Sequence, residues 1–128
     1  RDHDRMLLEK RKQYMIDAAT LLNRRYGEGR IGLEINDQYY NMREKIEPVF
    51  EIVENARDAM LALGIEPKIL PVRGGTDGSR LSFMGLPTPN IFTGGLFAHG
   101  KYEVLPTRSL ERAVEVIIKI IEMAGKDK

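Results

Sequence analysis

The residues that could do chemistry cluster between positions 73 and 99, RGGTDGSRLSFMGLPTPNIFTGGLFAH. Arg73 can fork two parallel hydrogen bonds onto a carboxylate or phosphate. Gly74 and Gly75 behind it permit positive φ and let a ligand approach the backbone. Thr76 or Asp77 can cap a helix over residues 78–84 that Gly85 stops. A helix start beside an arginine is a natural anion site. The same residues also read as a glycine turn next to a surface arginine, and at this level both readings stand. Asp77 is read as a cap rather than a catalytic carboxylate, since a carboxylate at a helix start accepts amide hydrogen bonds.

His99 closes the stretch and reads either as a structural histidine beside glycines or as a metal ligand. Neutral imidazole suits zinc, but a catalytic zinc needs about three protein ligands. The sequence has no His-x-Asp and no Glu-Glu pair, and its other histidine is His3. No G-x-S-x-G elbow surrounds Ser79 or Ser82, and no G-x-x-x-x-G-K-[ST] loop occurs. Serine-hydrolase and phosphate-loop chemistry drop out.

The elements that position these residues follow from periodicity. Asp2 and Asp4 are helix-start residues, and Leu8, Met15, Ala18, Ala19 and Leu22 recur at helical spacing over 5–26 until Gly27 and Gly29. The opposite face, with Lys10, Arg11, Lys12, Arg24 and Arg25, is a solvated one. Ile31, Leu33 and Ile35 alternate with polar residues and glycine, the period of a strand. Residues 38–45 lose periodicity; Tyr39 and Tyr40 there read as packing tyrosines at a domain junction or as site-lining ones. Pro48 suits a first helical turn, and Val49, Ile52, Val53, Ala56, Ala59, Met60 and Leu63 predict a buried face ending at Gly64. Residues 65–72, holding Pro67 and Pro71, read as a strand with free ends, and 88–92 as a buried strand. Residues 102–105 are extended, and Pro106 and Thr107 start a last helix with Leu110, Ala113, Val114, Ile117, Ile120 and Ile121 on its apolar face and Gly125 as its stop. Strands alternating with helices predict an α/β layered fold.

At 128 residues the chain has about one domain's worth of length. It holds 20 basic and 19 acidic residues for a net charge of +1, which gives no field to steer nucleic acid. No apolar run is long enough for a membrane span and no leader pattern opens the sequence. The absence of cysteine removes disulfides and thiolate ligands and fits a reducing, cytoplasmic setting.

The run RGGTDGSRLSFMGLPTPNIFTGG followed by HGKYE, together with NMREKIEP upstream, closely resembles the peptidase T family of tripeptide aminopeptidases, in the di-zinc aminopeptidase and carboxypeptidase superfamily. The resemblance extends from the opening RDHDR through the final helix. It implies that the chain corresponds to the last part of a longer enzyme: residues 1–40 a partial lid (dimerisation-type) domain, a helix-strand remnant of ferredoxin-like type, and 41–128 the C-terminal part of an αβα layered catalytic domain. It implies zinc as cofactor, two ions in the intact enzyme, with His99 as a ligand to one of them. It implies a short peptide substrate whose carboxylate is anchored by Arg73, Gly75 and Thr76, with Arg1 at the position of a lid arginine that reaches over the site. Where some superfamily members carry an amide side chain that binds substrate, four residues before the histidine, this sequence has Gly95.

The remaining ligands and the general-base glutamate of the family lie in its N-terminal portion, so no residue of this chain is expected to be catalytic. The isolated chain is expected neither to hold zinc tightly nor to hydrolyse peptides, and open apolar edges are expected to drive self-association. Two readings from other classes stand beside this one: a non-catalytic module that binds carboxylates or other anions through the 73–76 loop, and a structural fragment.

Overall fold

A computed structural model describes residues 2–72 and 74–125. Arg1 and Arg73, both named above as candidate substrate contacts, lie outside the described residues. Helix α1 spans Arg5–Tyr26, α2 Arg43–Ile46, α3 Glu51–Ala62, α4 Asp77–Phe83 and α5 Thr107–Ala124, with a 3-10 turn over Glu47–Val49.

The caps explain where these helices begin and end. Asp4 starts α1 by accepting the Leu7 amide at 2.9 Å, and Gly27, at φ 109°, stops it. After α3, Gly64 takes φ 69°, its N–H reaching Leu61 O at 2.9 Å while the Ile65 N–H reaches Met60 O at 2.9 Å. That pair of bonds closes the orphaned carbonyls of the last turn. Gly85, at φ 98°, repeats the arrangement after α4: its N–H reaches Ser82 O and the Leu86 N–H reaches Leu81 O.

The core is small. Helices α3 and α5 pack on each other, and Ala59, Ala113 and Val116 are buried on these two helices. Small residues on the two helices let their backbones approach closely. Arg112 of α5 adds a polar tie, donating from Nη2 to the carbonyl of Leu63 just past the end of α3. Helix α2 holds the one other buried large apolar residue among those described, Ile46. Helix α1 has no buried residue at all; Met15 and Leu22 of its expected apolar face are exposed.

The expected α/β layer does not form. Among the described residues there is no strand, and the only β pairing is an isolated antiparallel bridge between Leu96 and Val104. Residues 31–35, 65–72 and 88–92 carry no strand. Alternation and β-branched residues favour an extended backbone, but a strand exists only when a neighbour accepts its N–H and C=O groups, and none does here. The side chains that would have been buried stay in solvent: Ile69 and Leu70 are each 70% exposed. The ferredoxin-like helix-strand remnant is absent for the same reason. Residue 31 is paired instead by a side chain, Asn23 of α1, whose Nδ2 donates to Ile31 O at 2.9 Å while its Oδ1 accepts the Ile31 N–H at 2.8 Å.

Candidate functional site

The loop before α4 is built by three different constraints. Gly74 sits at φ 94°, a left-handed backbone that favours glycine. Gly75 is required by space: a β-carbon there would stand 2.7 Å from Tyr39 Cε1. Thr76, extended at φ −132° and ψ 161°, is the N-cap of α4, and Asp77 follows as the first helical residue. The Thr76 hydroxyl oxygen accepts the Ser79 amide at 3.3 Å and the Asn90 side-chain amide at 3.2 Å. A threonine hydroxyl has two acceptor lone pairs and one proton. Both bonds end on lone pairs, so neither uses the hydroxyl proton of Thr76.

Behind the loop, α4 is clamped onto residues 88–90. Buried Ser82 donates to Gly78 O at 2.7 Å and accepts the Thr88 amide at 2.9 Å. Gly78 presses so closely that a β-carbon would stand 2.5 Å from Thr88 O. Asn90 and the Tyr39–Gly75 contact were not legible as partners, since each joins positions far apart in the chain, whereas Ser82 lies only four residues from Gly78 and six from Thr88. A serine and a glycine four apart in one short helix were the available signal.

Tyr40 links this region to α1. Its ring lies 5.8 Å from Phe83 of α4, and the Arg5 guanidinium stands 4.6 Å over it. Its hydroxyl donates to Asp37 at 2.6 Å, and Asp37 also pairs with Lys12 at 2.6 Å. Lys12 in turn meets Glu9 at 2.7 Å. Hydrogen bonding to Asp37 and then Glu9 pushes the Lys12 ammonium up to about 12. The Lys12 ammonium and then the Tyr40 hydroxyl hold the Asp37 carboxyl below its usual range, and Asp37 raises the Tyr40 phenol. Tyr39 packs on a loop glycine and Tyr40 on a helix, and both also line an open cleft.

A broad open cleft of about 1600 Å³ runs past this assembly; Tyr39, Gly74, Thr76, Ser79 and Asn90 are among its lining residues, and His99 is not. His99 sits in the loop closed by the Leu96–Val104 bridge. Its backbone is left-handed, φ 64°, as is that of Phe97 at 57°. Its N–H donates to Glu103 Oε2 at 2.9 Å, and its side chain is exposed. Zinc does not fit these residues alone: among those described, no group of three or more His, Cys, Asp or Glu side chains could hold a metal ion. Glu103, the acid nearest in the loop, is engaged by the His99 amide. No described helix is long and apolar enough to cross a membrane.

No family model matches the chain. Curated relatives do. The protein named peptidase T of Caldanaerobacter subterraneus subsp. tengcongensis is 59% identical over 126 residues, 98% of this chain and 31% of the relative. Peptidase T of Clostridium novyi is 56% identical over the same length and shares, and that of Geobacillus thermodenitrificans 59% identical over 96% of this chain and 30% of its own. The chain spans less than a third of the length of the curated relatives it matches.

Proposed function

We propose, for a chain that carries peptidase T sequence over 98% of its length, that it supplies part of a zinc-dependent aminopeptidase releasing the N-terminal residue of tripeptides. Residues 1–40 belong on this reading to a lid and 41–128 to the catalytic part. The observation that carries it is the 59% identity together with a loop at 74–76 held by a ring, an amide and a helix cap at the rim of an open cleft.

The role assigned to this chain is binding and orientation. The proton of the Thr76 hydroxyl donates to one oxygen of the substrate carboxylate, Arg73 forks onto the same group, and Gly75 keeps the loop backbone tight beneath the Tyr39 ring so that its exposed peptide faces that group. An anchor held at a fixed place limits the length of peptide that can reach a reacting centre, which is why a tripeptide rather than a longer chain is the expected substrate. Exposed His99 contributes one imidazole to a metal whose other ligands lie outside this chain, so no chemical step is assigned to the isolated polypeptide. The cytoplasm is the proposed compartment, in keeping with a sequence free of cysteine.

The test is a covalent chimera in which this chain replaces the matched stretch of the Caldanaerobacter relative. The chimera should release the N-terminal residue of tripeptides, and Arg73→Ala should raise KM more than it lowers kcat. A chimera that folds and binds zinc but leaves tripeptides intact would remove the reading.

A further inference from the structure

Helix α5 is apolar on two sides, and only one of them is covered. Ala113 and Val116 are buried where α5 packs with α3. Leu110, Val114, Ile117 and Ile121 recur at the spacing of a single helix face, with Ile118 beside them, and these five side chains are 45–66% exposed. No charged residue interrupts that face. A continuous aliphatic stripe of this kind marks a binding surface.

Length and area decide what covers it. From Leu110 to Ile121 the stripe is about 17 Å long at about 1.5 Å per residue, and one helix face wide. Two copies facing each other through it would bury well under the roughly 800 Å² per partner of a standard stable interface. A larger polypeptide is needed, and it has a second apolar surface to meet in the open cleft, which includes Val53, Ala56, Met60, Leu70 and Phe92 in its lining. Both surfaces lie within a sequence matching 31% of a relative's length.

We infer that the α5 stripe is the docking surface for the portion of a peptidase T polypeptide that lies outside the stretch matched by this chain. The inference rests on the peptidase T reading given above. It adds that the two portions recognise each other through α5 strongly enough to assemble without a covalent link.

The experiment mixes this chain with the separately expressed remainder of the Caldanaerobacter relative and follows size-exclusion profiles and amide hydrogen exchange. A one-to-one complex with slowed exchange along α5 is expected. Ile117→Lys with Ile121→Asp should weaken it at least about tenfold, as should the milder Ile117→Ser with Ile121→Ser, whereas Glu111→Gln should not. All three variants should keep the helical circular dichroism of the parent, because the altered residues are solvent-exposed. Absence of a complex, a complex indifferent to both stripe variants, or concentration-dependent protection of α5 in this chain alone would each overturn the inference. Tripeptide hydrolysis is read separately. A complex without hydrolysis leaves the docking surface standing and counts against the activity; an active chimera whose separated parts ignore each other does the reverse.

Discussion

The Tyr39 ring occupies the space over Gly75, its Cε1 and Cδ1 atoms 2.7 and 2.8 Å from where a β-carbon would stand. Gly75→Ala must therefore displace the ring. Tyr39 is itself 39% exposed, so the ring can swing, and the cost should be about 1 kcal/mol, the low end for overpacking. Gly78→Ala meets backbone instead, Thr88 O at 2.5 Å, and should cost about 2–3 kcal/mol, although alanine is the better helix former by about 1 kcal/mol. Urea unfolding of the two variants checks the order, and pairing Gly75→Ala with Tyr39→Ala should remove most of the clash.

Ser82 is expected to matter for stability. Its buried hydroxyl satisfies Gly78 O and the Thr88 amide together. Ser82→Ala leaves a part-buried N–H without a partner, a loss of about 1–3 kcal/mol, visible as a Tm lowered by several degrees. Ser82→Cys, which keeps a weak donor and acceptor, should lose less.

The Lys12–Asp37–Tyr40 cluster sets a pH dependence at both extremes. Lys12 is raised from its usual 10.5 to about 12, so its contribution is complete below about 10.5 and fades as pH climbs toward 12. Tyr40, raised from 10.0, fades in the same direction. Asp37 is lowered from 3.8, so its contribution is present above that value and disappears as pH falls below it. Asp37 is exposed and Lys12 and Tyr40 are half-buried at the surface, so the effect should be small and weakened by salt. Thermal melts of Lys12→Met against the parent should differ by a constant amount from pH 5 to 9 and converge at the two ends.

Arg112 joins the end of α3 to α5 through the Leu63 carbonyl, with Glu115 at 2.7 Å steadying the guanidinium. Arg112→Met keeps the aliphatic stem and removes the donor. A loss of about 1–2 kcal/mol is expected, in the range of a hydrogen bond from a charged group, and amide exchange should quicken first at Gly64 and Ile65.

Local signals told most of what became helix. Asp4, Gly27, Gly64 and Gly85 mark helix boundaries through capping chemistry that needs no distant partner, and Pro106 marks the start of α5 without a side-chain cap. Strands were misread because a period of two at Ile31, Leu33 and Ile35 describes a conformation, while a sheet requires a second backbone. Burial was misread on α1 for a related reason, since apolar spacing at Leu8, Met15 and Leu22 does not say that anything lies against it. In the loop, Gly74 was legible as a backbone requirement. Gly75 was not legible as a steric one, because Tyr39 is far away in sequence. His99 could be singled out as a ligand type, but the sequence could not show that it would sit in a separate loop outside the Thr76 cleft.

Asn23 has a consequence beyond joining α1 to residue 31. An exposed run of alternating aliphatic residues is a template on which a stray polypeptide could stack and seed insoluble aggregates. By holding both polar groups of Ile31, the carboxamide denies the first rung to any newcomer. A single asparagine thus leaves residue 31 with no open backbone group to offer a passing strand.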